Sequence, residues 1–166
     1  WTSWRPLKRL DLLVESFIEA DIKESELWVI GGGISEGEKS DLLLKAKKNN
    51  TSIVFYGSLS RGDLFDLMEQ VHLGIVTSDF ETFGLQIIEA FSKGIPVVST
   101  DCGGPSSIIS SSFLGELAST NNKNSIINAI EYIYMNYHNY DSNRIIKHFT
   151  ENYTKEAVVK KFISII

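Results

Sequence analysis

The chain has 166 residues, of which 43% are hydrophobic and 22% charged, so it can form one globular domain and is neither disordered, collagen-like nor of low complexity. A net charge of −5 argues against binding to a nucleic-acid backbone, and no apolar run approaches the ~18–20 residues that a membrane span needs. The single cysteine, Cys102, cannot form an internal disulfide, so we expect a cytoplasmic protein.

Amphipathic runs alternate with short β-branched runs along the chain. Apolar residues at helical spacing predict a first helix over residues 10–18, and a capping-box pattern that begins at Ser35 predicts a second that ends near Lys48. Ser60 can cap a third helix, which extends to about Val71. Later helices are predicted over 84–93, 106–110, 125–137, 143–149 and 155–166, and strands over 27–30, 52–56, 73–76, 95–99 and 115–118.

The predicted strands are continuously apolar, which is typical of strands that are buried on both faces. Together with the alternation of strands and helices, this predicts an α/β fold with a doubly wound parallel sheet and helices on both faces. Residues 1–166 are expected to form this single domain. Because ligands bind outside the carboxyl ends of the strands in such sheets, the loops after the strands are the places to look for a site.

Those loops are rich in glycine, and the loop at the start of the chain carries two cations, Arg5 and Lys8. Glycine lets a backbone approach a ligand closely, and the N-terminus of a following helix attracts anions. Taken singly, such glycines also occur in ordinary turns, and most cations are solvated. Taken together, the loops predict a phosphate-bearing ligand, while the absence of the dinucleotide and P-loop patterns disfavours an NAD site or an ordinary kinase.

Two glutamates, Glu81 and Glu89, flank the predicted start of a helix at Gly84. Glu89 lies five residues into that helix, ~7.5 Å along its axis. Free backbone N–H groups at residues 82–85 could hold a diphosphate, and Glu89 could then accept hydrogen bonds from both hydroxyls of a ribose. Glu81 would face the group beyond the terminal phosphate. Two glutamates at this spacing are also common on solvated helices, so the spacing alone does not decide.

The sequence around these glutamates carries a more specific pattern. Residues 80–85 read F-E-T-F-G-L, followed by E-A at 89–90 and by G-I-P-V-V at 94–98. With the segments 8–17, 27–33, 54–59 and 101–108 in the same order, the chain resembles the C-terminal, donor-binding domain of family-4 glycosyltransferases of the GT-B fold. The resemblance implies a Rossmann-like sheet of about six strands with a C-terminal helical segment, and it places Trp1 at the end of the first strand.

The same resemblance implies a role for each loop. Arg5 and Lys8 would neutralise the donor diphosphate, and Glu81 would stabilise the transferred sugar, so these three are the expected catalytic residues. Glu89 would bind the ribose. Further donor contacts would come from Gly33, Gly57, Leu59, Thr82, Phe83, Gly84 and Leu85. Family members retain the anomeric configuration and usually need no metal, so neither a metal nor a cofactor is expected.

Two residues depart from the family pattern. Ser3 stands where the commonest pattern has its phosphate-binding arginine, and Arg5 is interpreted as the replacement, as in a sub-group that reads S-x-[FW]-R-x-x-K-R. Ser107 stands where an acidic residue is usual. This difference weakens contacts at that helix end and gives no reason to assign Ser107 a catalytic role.

The expected function is transfer of a hexose from a nucleotide-diphosphate sugar to a glycan or lipid-linked acceptor, in cell-surface polysaccharide synthesis. The acceptor-binding N-terminal domain would be missing, so this chain alone is expected to be inactive. The whole enzyme could be peripheral to a membrane. One alternative is half of a nonhydrolysing sugar-nucleotide epimerase, which the segment 83–85 with Glu89 disfavours. The other is a non-catalytic flavodoxin-like module, which would have an acidic cluster in place of Arg5 and Lys8.

Overall fold

The computed structural model describes residues 1–164 and shows an α/β fold with helices on both faces of parallel strands. The strands are β1 (Glu26–Ile30), β2 (Ser52–Gly57), β3 (Gly74–Val76), β4 (Val97–Thr100) and β5 (Gly115–Ala118). The helices are α1 (Leu10–Ala20), α2 (Glu36–Lys48), α3 (Arg61–Leu67), α4 (Leu85–Ser92), α5 (Gly104–Ile108), α6 (Lys123–Met135), α7 (Ser142–Tyr153) and α8 (Lys155–Ile163). The last two residues of the helix predicted over 155–166 lie outside the described residues.

The strands form two parallel sheets. One has the order β1-β2 and the other the order β3-β4-β5. The predicted parallel pairing is therefore confirmed, but in place of a single sheet of about six strands, residues 1–164 form five strands in two sheets. β1 and β3 are not hydrogen-bonded to each other.

Helices cover the strands on both faces and divide the core into three clusters. On one face, α1 packs against β1 and β2 through Leu13 and Phe17, and against α6 through Leu12. On the other face, Ile87 and Phe91 of α4 are fully buried together with residues from α5 and α7. Of the described strands, β4 is buried along its whole length, whereas β2 and β5 each include half-buried and exposed positions.

Several helices begin as the sequence predicts. The Ser35 hydroxyl accepts a hydrogen bond from the Glu38 backbone N–H, and the Glu38 side chain accepts one from the Ser35 backbone, which completes the capping box of α2. Ser60 caps α3 in the same way through the Asp63 N–H. None of the helices in residues 1–164 combines the length and the apolar character that crossing a bilayer requires.

Candidate functional site

The loop that joins β3 to α4 is fastened to the loop that joins β4 to α5. The Glu81 N–H donates to the Cys102 carbonyl at 3.1 Å, and the Gly104 N–H donates to the Glu81 carbonyl at 2.7 Å. These bonds give Glu81 and Gly103 the register of an isolated parallel bridge. The bridge fixes the backbone of Glu81 at the carboxyl end of the three-stranded sheet, although Glu81 lies in a loop.

Close packing between Gly104 and the Phe83 backbone also holds the loop that joins β3 to α4. A Cβ atom built on Gly104 would lie 2.7 Å from the N, Cα and carbonyl O atoms of Phe83, closer than real Cβ contacts allow. Only glycine therefore lets α5 approach the segment that leads into α4. The pair Gly103-Gly104 thus packs the two loops together.

The N-terminus of α4 is open to a ligand. Gly84 occupies the cap position with φ of 93°, a left-handed conformation that suits glycine, and no side chain caps the helix. The first N–H groups of an α-helix have no partner within the helix, and the helix dipole favours anions there. Thr82, Phe83 and Leu85 flank this end and are exposed.

The Lys8 ammonium forms an ion pair with the Glu81 carboxylate, with 2.5 Å between Nζ and Oε2. The side chains are only 18% and 15% exposed, so the pair is largely shielded from water. The 3₁₀ turn Pro6–Lys8 is held in place by the backbone, because the Asp79 N–H donates to the Leu7 carbonyl at 2.9 Å and the Thr77 hydroxyl lies 3.0 Å from the Lys8 carbonyl. Lys8 and Glu81 thus meet across 73 residues of chain.

Glu89 lies on α4 and faces the first residues of the chain. Its Oε2 accepts a hydrogen bond of 2.8 Å from the indole N–H of Trp1, and its Oε1 lies 3.3 Å from Nη2 of Arg61. One helical turn earlier, the Gln86 amide lies 3.4 Å from the Thr2 hydroxyl. Both glutamates therefore contact the face formed by residues 1–8, although sequence reasoning identified neither Trp1 nor Arg61 as a partner of Glu89.

The remaining predicted residues take different positions. Arg5 is exposed, and its guanidinium makes no ion pair within residues 1–164. Gly33 lies against the backbone of Trp4, with 3.2 Å between a Cβ built on Gly33 and the Trp4 carbonyl oxygen. The Gly57 carbonyl accepts a 2.7 Å hydrogen bond from the Gly31 N–H, and Leu59 is half-buried. The loop that contains Gly57 and Leu59 leads directly into Arg61, which connects it to Glu89.

Two neighbouring groups are occupied or unreactive. The Arg9 guanidinium lies 3.3 Å from carboxylate oxygens of both Asp11 and Asp79 and donates to the Asn121 side-chain oxygen at 2.7 Å. Burial raises the pKa of the Cys102 thiol, and the nearby Glu81 carboxylate raises it further, so Cys102 is a poor nucleophile at neutral pH.

Within the described residues, no three His, Cys, Asp or Glu side chains are arranged to hold a metal ion.

Comparison with known proteins identifies the family. The sequence profile described as "Glycosyl transferases group 1" matches residues 3–152. The chain belongs to this family. The resemblance to the C-terminal half of GT-B glycosyltransferases is thereby confirmed.

The relatives of this glycosyltransferase domain are longer proteins. A probable sucrose-phosphate synthase of Thermosipho melanesiensis is 33% identical over 97% of this chain and 38% of its own length. The lipopolysaccharide 1,6-galactosyltransferase of Escherichia coli is 35% identical over 55% of this chain and 26% of its own length. The crystal structure of HepE from Anabaena in complex with UDP and glucose matches with a TM-score of 0.73 at 19% identity, over 91% of this chain and 46% of HepE. The chain thus spans less than half of each of these proteins.

Proposed function

We propose that this domain binds the nucleotide-diphosphate sugar donor of a retaining glycosyltransferase. The observation that carries the proposal is the arrangement at the start of α4, where one carboxylate precedes the open helix N-terminus and another follows it. Both carboxylates contact the segment that supplies Lys8 and Trp1. This arrangement matches the three parts of such a donor, which are the sugar, the diphosphate and the ribose.

The diphosphate would lie against the backbone N–H groups of residues 82–85. When the bond between the sugar C1 and the phosphate oxygen breaks, both electrons leave with the diphosphate, and negative charge grows on it. The Lys8 ammonium and the helix dipole stabilise that charge in a site of low exposure. Arg5 lies three residues before Lys8 and is exposed. It would add a second cation once a phosphate lies within its reach. Lys8 and Arg5 would thus supply the positive charge for which other enzymes use a metal ion.

Glu81 would lie beside the transferred sugar. Its backbone is fixed by the bridge to Gly103, and its carboxylate is held by Lys8, so the side chain is positioned before the donor binds. A fixed carboxylate can stabilise the positive charge that develops at C1. Glu81 therefore serves the transition state more than the bound donor.

Glu89 would accept hydrogen bonds from the two hydroxyls of the ribose. Its side chain is 21% exposed, so part of the carboxylate is accessible to a ligand. Gly57 and Leu59 would line the pocket for the base, because their loop leads to Arg61 and so lies next to Glu89. Gly33 would form its wall.

Two relatives support a proposed donor and a proposed class of acceptor. The solved HepE complex contains UDP and glucose, so we propose a UDP-hexose as the first donor to test. The galactosyltransferase of E. coli acts on lipopolysaccharide by its name, which agrees with a glycan or lipid-linked acceptor in cell-surface polysaccharide synthesis. We further propose that the protein is cytoplasmic and that the domain that binds the acceptor lies outside this chain.

Isothermal titration calorimetry of the chain with UDP, GDP and ADP tests donor binding. Glu89→Ala should weaken binding of the preferred nucleotide by ~1.5–3 kcal/mol, because two hydrogen bonds to a charged group are lost. Glu131→Ala on α6 is the control and should leave the affinity unchanged. An unchanged affinity for Glu89→Ala in a folded protein would show that Glu89 does not hold the ribose. No binding of any of the three nucleotides would favour a non-catalytic module.

A further inference from the structure

Arg61 occupies a position that helix energetics alone do not explain. It is the first residue of α3, directly after the Ser60 cap. The positive end of the helix dipole disfavours a cation there, and Arg is normally found near the opposite end of a helix. Its side chain is 79% exposed, so its ion pair with Glu89 adds little to stability.

The guanidinium of Arg61 nevertheless contacts two side chains. It lies over the ring of Phe65, with 5.4 Å between Cζ and the ring centroid, and Phe65 follows one turn later on the same helix. Nη2 contacts Glu89 Oε1 at 3.3 Å. The side chain therefore extends from α3 to α4 and connects the loop after β2 with the helix that carries Glu89.

The hydrogen-bonding capacity of Glu89 indicates what this connection does. A carboxylate offers about four lone-pair sites, two on each oxygen. The Trp1 indole donates a hydrogen bond to Oε2, and Nη2 of Arg61 lies 3.3 Å from Oε1, so each oxygen keeps at least one site for a ribose hydroxyl. With one partner beside each oxygen, the carboxylate is oriented from both ends.

The charge of Glu89 also bears on donor binding. The proposed donor carries a diphosphate next to its ribose, so an isolated Glu89 carboxylate would repel the ligand that it binds. A guanidinium 3.3 Å away offsets this repulsion locally. We propose that Arg61 is a positioning residue for the donor, which orients and neutralises Glu89 so that this carboxylate can bind a ribose beside a diphosphate. The inference rests on the proposed function.

A double-mutant cycle with UDP as the probe tests this proposal by calorimetry. Arg61→Met alone should weaken UDP binding about three- to tenfold, and Arg61→Lys should restore part of the loss. In the Glu89→Gln background, the further change Arg61→Met should weaken binding by less than about twofold, because Arg61 acts through Glu89. Uridine, which lacks phosphates, should lose affinity for Arg61→Met as well, since the orientation of Glu89 is affected.

Lys93→Met is the matched control. The Lys93 ammonium also lies over the Phe65 ring, at 5.6 Å, but it pairs with Glu69 and not with Glu89. Its removal should leave the affinity for UDP unchanged.

Two results would overturn the proposal. If Arg61→Met has no effect on UDP binding while Glu89→Ala does, the donor site stands and Arg61 has no part in it. If the losses from Arg61→Met and Glu89→Gln are additive and uridine binding is unaffected by Arg61→Met, Arg61 contacts the phosphates directly and does not position Glu89. Failure of the unmodified chain to bind UDP, GDP or ADP would contradict the proposed function itself and this inference with it.

Discussion

Breaking the ion pair between Lys8 and Glu81 should destabilise the fold by an amount that its burial sets. The two side chains are 18% and 15% exposed, and the charged atoms lie 2.5 Å apart. Exposed ion pairs contribute ~0.2–1 kcal/mol, whereas hydrogen bonds to charged groups that are shielded from water contribute ~1.5–3 kcal/mol. We therefore expect Lys8→Met, which leaves the Glu81 charge unpaired, to lower the free energy of unfolding by ~1.5–3 kcal/mol.

Thermal and urea denaturation of the unmodified chain, Lys8→Met, Glu81→Gln and the double variant measure this effect. For a chain of this size, the loss corresponds to a fall in Tm of ~3–12 °C. Glu81→Gln in the Lys8→Met background should recover much of the loss, since no charge then remains buried without a partner. The cycle thus gives a coupling energy of ~1.5–3 kcal/mol.

The pair Lys45–Glu15 provides the matched control. Its charged atoms are 2.6 Å apart, but the side chains are 43% and 37% exposed. Its coupling energy should be ~0.2–1 kcal/mol. Equal coupling energies for the two pairs would refute the reasoning, because burial would then not be what distinguishes Lys8 and Glu81.

Three further predictions concern packing and titration. Gly104→Ala should weaken UDP binding although Gly104 is given no contact with the donor, because the new Cβ would displace the Phe83 backbone, and calorimetry checks this. Burial raises the pKa of Cys102, so at pH 8 iodoacetamide should label this thiol far more slowly in the native protein than in urea, as mass spectrometry would show; equal rates would contradict its burial. Burial, aided by the Glu116 carboxylate, raises the pKa of Tyr140 to about 12 from its ordinary value of 10.0. The native state then binds more protons than the unfolded state between these values, so stability should fall as pH rises through them, and Tyr140→Phe should make the fall shallower in urea denaturation at pH 9–11.

The sequence predicted the positions of the strands and helices because their signals are local. The apolar run ahead of the glycines at 31–33 indicated β1, and the hydroxyls of Ser35 and Ser60 indicated the starts of α2 and α3. The division into two sheets was not predicted. It depends on which strand edges form hydrogen bonds, which is a property of the tertiary structure and not of any single segment.

The candidate site was predicted in part for the same reason. Parallel strands bring the loops at their carboxyl ends to one edge, so Lys8 and Glu81 were expected on the same edge, but their ion pair was not predicted. The partners of Glu89 could not be predicted in this way. Trp1 is 88 residues away, and Arg61 begins a helix on another loop, where an exposed cation has no distinguishing sequence signal. Tertiary packing alone brings them to Glu89.

The central claim is that a nucleoside diphosphate binds at the N-terminus of α4. Titration of the ¹⁵N-labelled chain with UDP, followed by amide NMR spectra, tests the claim most directly. The account predicts that the largest shifts occur at residues 82–86 and at Glu89, with further shifts at Lys8 and Arg61. Saturable shifts confined to other parts of the molecule would contradict it.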